Sequence, residues 1–438
     1  MSSLRFGGGT AGSRAPLSGL IELPGDKSIS HRALILGALA PGTSRVTNLN
    51  TGEDVLATGR ALSALGATTR IDEALAEAEV EGCGPAGLVE PDDVIDCGNS
   101  GSTLRMLLGV CACVPGLSVL TGDPSLRRRP MLRVVDPLRH MGAAIDGRDG
   151  GERAPLVVRG GHLRGVDVAM TVASAQVKTA LLLAGLGAAG TTTILQPKPS
   201  RDHTERMLAA AGAGVVIDGL RITVDGRSTL PPVDRVVPGD VSAAAFFGVA
   251  AALVEGSNLT VDRVGLNPTR TAWIGALARM GADITTETAT GGAGEPEGRI
   301  RIRSSTLRAT EISGEQVAYL IDEIPILAVA ATRARGTTVI RDAGELRVKE
   351  SDRIATMAAG LTTLGARVEE LPDGMAVHGP ATLRGGRVDS MGDHRAAMAF
   401  AVAGLVATDP VEVAGWSSVA TSFPGFLDIL AAAQGKPA

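Results

Sequence analysis

The chain has 438 residues, 44% of them hydrophobic and 20% charged, with a formal net charge of −5. That length suits two or three domains, and so much apolar material excludes a largely disordered chain. Only 2% of residues are aromatic, so the chain offers neither the basic surface nor the stacking platforms of a generic nucleic-acid binder.

Residues 1–19 are Gly/Ser-rich and lack an apolar h-region, so no signal peptide is expected. A repeated unit follows. Extended segments are predicted after Gly42-Thr43, Gly116-Leu117, Gly190-Thr191, Gly256-Ser257, Gly336-Thr337 and Pro410-Val411, at steps of 74, 74, 66, 80 and 74 residues. Such regularity indicates internal duplication. After each strand come a polar loop and an amphipathic helix. In five units the helix stops at glycine: Leu65-Gly66-Ala67, Met141-Gly142-Ala143, Ala211-Gly212-Ala213, Met280-Gly281-Ala282 and Leu364-Gly365-Ala366. Alternating strands come next, as at 214–217 and 221–224 around Asp218-Gly219. An apolar helix closes the unit, and the six such helices are expected to begin near Lys27, Asn99, Ser174, Ser242, Asp322 and His394. The longest apolar runs, 241–254 and 396–407, fall short of the roughly 20 residues that span a bilayer and read as buried helices. Cys83, Cys97, Cys111 and Cys113 match no metal-ligand spacing and read as reduced, inert thiols of a cytoplasmic protein.

Six units divide into three plus three, with Pro231-Pro232 and Pro238-Gly239 at the join. The expected fold class is α/β with two lobes, 25–238 forming the first and 1–24 with 239–438 the second. Polar motifs gather at helix starts in equivalent places. Pro24-Gly25-Asp26-Lys27-Ser28-Ile29-Ser30-His31-Arg32, Gly98-Asn99-Ser100-Gly101-Ser102-Thr103, Ser174-Ala175-Gln176-Val177-Lys178, Ile321-Asp322-Glu323 and Gly392-Asp393-His394-Arg395 precede or open closing helices. Arg127-Arg128-Arg129, Ser200-Arg201 and Arg347-Val348-Lys349-Glu350-Ser351-Asp352-Arg353 open the other helix. Taken singly, these are an ordinary glycine turn, a solvated face, a helix charge pattern and a capped histidine. Together, at one phase of a repeat, they join helix N-termini to Arg forks, which is how proteins hold phosphate and carboxylate. Asp322 and Glu350 fall among these cations and are candidates for proton transfer.

The strings 23–32, 98–101, 347–353 and 392–395 resemble the 5-enolpyruvylshikimate-3-phosphate (EPSP) synthase family, with the resemblance running from about Leu17 to Leu430. It implies two lobes of three βαβαββ units hinged about a cleft, of the inside-out α/β barrel type. It implies transfer of the enolpyruvyl group of phosphoenolpyruvate to shikimate 3-phosphate with release of phosphate, without metal or organic cofactor, in a monomeric cytoplasmic enzyme. Carried over residue by residue, Lys27, Ser28, Arg32, Ser174, Ala175, Gln176, Arg201, Asp322 and Lys349 form the shikimate 3-phosphate set. Lys27, Asn99, Gly101, Arg129, Gln176, Glu350, Arg353 and Arg395 form the phosphoenolpyruvate set. Asp322, Glu350 and Lys27 are the expected catalytic groups. Ala175, Arg201 and Thr421 are similar to the second of two sequence classes, which is associated with tolerance to glyphosate, whereas the absence of a side chain at Gly101 leaves room for that inhibitor. Thr421 stands where some members carry Lys, and Lys178 or Arg127 is the expected replacement. Two alternatives are UDP-N-acetylglucosamine enolpyruvyl transferase and a non-catalytic anion-binding protein. The first typically has a Cys in the loop equivalent to 121–131, absent here, and Asn where this chain has Ser28. The second has no need of Asp322 and Glu350 among its cations.

Overall fold

Five helices end in the same way, and their ends set the repeat. Glu53–Ala64, Leu132–His140, His203–Ala210, Ala272–Arg279 and Arg353–Thr363 each stop two residues before a glycine of positive φ, at Gly66, Gly142, Gly212, Gly281 and Gly365. The next residue, an alanine each time, bonds its N–H back to a leucine carbonyl, Ala67 to Leu62 at 3.1 Å and Ala366 to Leu361 at 3.0 Å among them. Glycine makes the left-handed turn without a Cβ clash, and the bond satisfies a carbonyl that the helix leaves open.

The computed structural model describes residues 3–7, 15–289 and 294–435; of the N-terminal Gly/Ser-rich stretch, residues 1, 2 and 8–14 lie outside it. Among the described residues there are five four-stranded sheets and one three-stranded sheet. In the first repeat, Gly42–Thr47 pairs antiparallel with Glu77–Gly82, which pairs antiparallel with Thr68–Asp72, while Arg235–Val236 adds a parallel edge. The other four-stranded sheets follow this order. N-terminal strands complete one of these and the three-stranded sheet: Ser18–Glu22 lies parallel to Asn258–Gly265, and Ser3–Phe6 lies antiparallel to Val411–Ala414.

The chain forms two compact units. One is Gly25–Val237 with Gly291–Glu295, here the N-terminal unit; the other is Met1–Pro24, Pro238–Thr290 and Pro296–Ala438, the C-terminal unit. Each has its own apolar core. The cores are built on the closing helices: Lys27–Ala38, Gly101–Cys111 and Ala175–Leu186 in the first, Val241–Leu253, Ile324–Arg333 and His394–Val406 in the second. The two longest apolar runs are indeed buried helices. Gly109 lets two of these helices touch, since a Cβ there would stand 2.1 Å from the Ala180 carbonyl oxygen. Every Trp, Tyr and Phe lies in the C-terminal unit, where Trp416 meets Phe6 and Phe426 at 4.8 and 5.8 Å; the other core is aliphatic apart from its cysteines and methionines.

Two expected helix starts shift. The helix foreseen at Asn99 begins at Gly101, because Ser100 is the cap and accepts from the Thr103 N–H. The helix foreseen at Asp322 begins at Ile324, after a turn that follows the short helix Gln316–Leu320. Both shifts leave Asn99 and Asp322 in turns. Among the described residues, no helix is long and apolar enough to cross a membrane. All four cysteines are free, and burial pushes the Cys111 and Cys113 thiols up to about 12.

Candidate active site

In the N-terminal unit the capped helix starts carry the cations. Asp26 caps Lys27–Ala38 by accepting from the Ile29 N–H, and Ser174 caps Ala175–Leu186 by accepting from the Val177 N–H. Lys27 opens the first of these helices, and its Nζ donates to Asp54 at 2.7 Å. Arg32, one turn on, is buried and held at three points. Its Nε donates to Thr204 Oγ1, its Nη1 to the Ser28 carbonyl and its Nη2 to Thr179 Oγ1, at 2.7, 2.7 and 2.8 Å. Burial lowers its pKa to about 10, opposed by the carboxylates of Glu205 and Asp26; the nearby Arg201 adds to the lowering.

A second group in the same unit is knit by amides. Arg129 Nη2 donates to Asn99 Oδ1 at 3.0 Å, and Asn99 Nδ2 donates to Asp123 at 2.7 Å. Gln176 donates to Ser102 Oγ at 2.9 Å and accepts from Arg105 Nη1 at 2.8 Å. Gly101 sits between these arginines: a Cβ there would lie 2.8 Å from Arg129 Nη1 and 3.0 Å from Arg105 Nη1. Asn99, Gly101, Arg129 and Gln176 are therefore one cluster. Ser102, the residue that follows Gly101 in the motif, belongs to it as well, and so does Arg105, which the motifs did not single out. Its position one turn into a helix that starts at Gly101 was the available signal.

In the C-terminal unit one guanidinium organises the acids. Arg353 Nε donates to Asp393, Nη1 to Asp322 and Nη2 to Glu350, at 2.7, 3.1 and 2.6 Å. Its side chain is 1% exposed. Burial works against its charge, but Asp393, Glu350 and Asp322 outweigh that and hold its pKa above the ordinary arginine value. Arg395 donates to the Asp322 carbonyl at 3.3 Å, with its Nε 3.7 Å from the Asp322 carboxylate. Lys349 is half-buried; loss of solvent lowers its pKa, Asp322 opposes this and Arg353 adds to it. Asp322, Glu350, Arg353 and Arg395 thus converge, with Lys349 in their field. Behind them Glu323 is fully buried, accepts from Ser242 Oγ and lies 4.0 Å from Arg395, while Arg270 donates to that same hydroxyl at 2.7 Å.

Several expected groups have other roles. Lys178 does not replace a missing lysine: it is 1% exposed and paired with Glu205 at 2.5 Å. An apolar helix interior buries its amine, and the carboxylate compensates the charge. Arg347 braces a loop, donating to Asp352 and to the carbonyls of Leu371 and Pro372. Arg127 and Arg128 lie in the 3-10 turn Leu126–Arg128, and neither has a side-chain bond to the Asn99–Arg129 cluster among the described residues. Thr421 donates to the Ser418 carbonyl and lies 3.3 Å from His394 Nδ1. Among the described residues no group of three or more His, Cys, Asp or Glu is arranged to hold a metal ion.

The fold is that of enolpyruvyl transferases: the enolpyruvyl transferase NikO of Streptomyces tendae superposes with a TM-score of 0.77 over 98% of this chain and 96% of its own, at 20% identity. EPSP synthase of Acinetobacter baumannii superposes with a TM-score of 0.86 at 41% identity, covering 98% of both chains. Residues 12–430 match the family described as EPSP synthase (3-phosphoshikimate 1-carboxyvinyltransferase). The 3-phosphoshikimate 1-carboxyvinyltransferase of Anaeromyxobacter sp. (strain K) is 55% identical over 95% of this chain and 93% of that relative. That of Gloeobacter violaceus is 54% identical over 95% of this chain and 96% of that relative. The chain belongs to the EPSP synthase family.

Proposed function

We infer that the three residue groups serve one reaction. The chain transfers the enolpyruvyl group of phosphoenolpyruvate to the 5-hydroxyl of shikimate 3-phosphate and releases phosphate. Lys27, Ser28, Arg32, Ser174, Ala175, Gln176 and Arg201 from the N-terminal unit bind shikimate 3-phosphate with Asp322 and Lys349. Lys27, Asn99, Gly101, Arg129 and Gln176 bind phosphoenolpyruvate with Glu350, Arg353 and Arg395. The observation that carries this reading is the grip of Arg353 on Asp322 and Glu350 together: a binding protein for anions has no use for two carboxylates beside its cations, whereas a proton-transferring enzyme does.

The chemistry requires a proton on the methylene carbon of phosphoenolpyruvate, which leaves C2 cation-like. Glu350 delivers that proton. Asp322 takes the proton of the 5-hydroxyl, whose oxygen bonds to C2 and gives a tetrahedral phospho-lactoyl adduct. Return of a proton from the new methyl carbon to the Glu350 carboxylate, with cleavage of the C2–O bond to phosphate, then releases inorganic phosphate and restores the double bond. Lys27 steadies the bridging and phosphate oxygens, and Arg129, Arg353 and Arg395 hold carboxylate and phosphate in line. Holding both substrates supplies on the order of 7–11 kcal/mol at best. A proton-transfer residue adds about 10²–10⁴ in rate. The enzyme works as a cytoplasmic monomer that needs neither metal nor organic cofactor.

A phosphate-release assay tests the reading, run in parallel with shikimate 3-phosphate and with UDP-N-acetylglucosamine as acceptor. Release with the first alone is expected. Release with the second alone supports the sister activity, and release with neither supports an anion-binding protein.

A further inference from the structure

Next along the chain to the Asn99–Arg129 cluster, the N-terminal unit carries a pocket of about 390 Å³ lined by Pro124, Arg127, Arg128, Arg148, Asp149 and Arg153. Four guanidinium groups meet one carboxylate there, on a chain whose net charge is −5. Asp149 is engaged by Arg153 at 3.5 Å. Arg127, Arg128 and Arg148 form no ion pair among the described residues. The backbone makes the crowding deliberate: Arg148 and Arg153 are direct cross-strand partners, where the register shifts after Gly147. Like charges in that relation repel and destabilise the strand pair unless a counter-charge joins them.

The walls of the pocket are fixed. The Met131 N–H donates to the Glu152 carbonyl at 2.8 Å, tying the arginine-bearing loop to the strand turn. Arg139 Nη2 donates to the Gly150 and Ile145 carbonyls, both at 2.8 Å, and pins that turn from its other side. The neighbouring Asp123 is turned away, bonded to Asn99 and to the Leu126 N–H. Four planar donor forks that share a single carboxylate, itself held by Arg153, suit a tetrahedral oxyanion, which accepts bidentate bonds from several of them at once.

We propose that this pocket is a second anion site, which binds a multiply charged phosphate or phosphoryl group. Its residues are distinct from both substrate sets. Its loop runs directly into Arg129, so an occupant would also steady that residue.

The test is calorimetric titration of the full chain with pyrophosphate, inorganic phosphate and glycerol 3-phosphate at constant ionic strength, compared with the Arg128→Gln/Arg148→Gln double variant. Both side chains are exposed, so the variant keeps its fold, which its melting curve checks. The wild type is expected to bind one more equivalent of pyrophosphate than the variant, or to bind it at least about tenfold more tightly. The phosphate and glycerol 3-phosphate arms show whether the natural occupant is a free ion or an ester. Equal stoichiometry and affinity in both proteins would overturn the proposal, as would equal heats with chloride. A second measurement needs no variant. Phenylglyoxal modification of Arg127, Arg128, Arg148 and Arg153 in the wild-type chain, mapped by mass spectrometry, slows in pyrophosphate; unchanged rates count against the site.

Discussion

The Arg353 guanidinium donates through Nε to Asp393 Oδ2 at 2.7 Å, with both side chains withdrawn from solvent. Asp393 also caps the helix His394–Val406 through its other oxygen, which accepts from the Arg395 and Ala396 N–H groups. One carboxylate thus fixes two cations of the candidate site, Arg353 by a side-chain bond and Arg395 by its backbone. Asp393→Ala breaks a buried pair and removes a cap, and is expected to cost about 3–5 kcal/mol. Asp393→Asn keeps the cap through its amide oxygen but turns an NH2 donor toward Arg353 Nε, losing that bond together with the charge. It is therefore expected to lie below wild type and to exceed the Ala variant by no more than the contribution of the cap, about 0.5–2 kcal/mol. Urea titration followed by circular dichroism ranks all three proteins.

Asp322 shares Arg353 with two other carboxylates, so its removal leaves that arginine paired. Asp322→Ala is therefore expected to bind shikimate 3-phosphate within roughly tenfold of wild type while turnover drops by at least about 10². Binding is read by calorimetry and turnover by phosphate release. Full activity in the variant would remove Asp322 from the mechanism.

At Gly101 the added methyl of an alanine meets the ends of two flexible side chains, not backbone. The fold of Gly101→Ala is expected to survive, with Arg129 and Arg105 displaced. Since Arg129 is assigned to phosphoenolpyruvate, KM for that substrate should rise by about tenfold, with a smaller change in kcat. Glyphosate is expected to inhibit the wild type with a constant no higher than that KM, and to lose more than the substrate does in the variant. Steady-state kinetics at varied phosphoenolpyruvate decides both points.

His31 is fully buried, with its Nδ1 2.7 Å from the Thr58 hydroxyl. Burial first, and then the charges of Lys27 and Arg32, hold its pKa well below the ordinary 6.5. Below pH 6.5 the unfolded chain takes up a proton that the folded chain refuses, so stability falls as the solution is acidified. The slope from this group approaches about 1.4 kcal/mol per pH unit. Between pH 6.5 and 5, His31→Gln is expected to lose stability less steeply than wild type, as seen in urea midpoints across that range.

How much of this could be read from residues alone varied with the range of the interaction. Helix ends were legible because Gly66, Gly142, Gly212, Gly281 and Gly365 each solve a local problem of backbone handedness. The clustering of Asp322, Glu350, Arg353 and Arg395 was foreshadowed by their common phase in the repeat. Partnerships across long separations were not legible. Nothing local marks Thr179 and Thr204 as the clamp on Arg32, since the bonds span 147 and 172 residues. Lys178 was misjudged for the same reason, because its partner Glu205 comes from the next helix. Arg105 was hidden by ordinary helix composition.

The segregation of aromatic rings into the C-terminal unit makes the two halves optically unequal. Trp273 and Trp416 both report on that half, so intrinsic fluorescence is blind to events in the other. A single tryptophan introduced among the aliphatic side chains of the N-terminal unit would emit there with no neighbour of its kind. Paired with its absence in the parent chain, that signal would let the order in which the two halves unfold be followed separately.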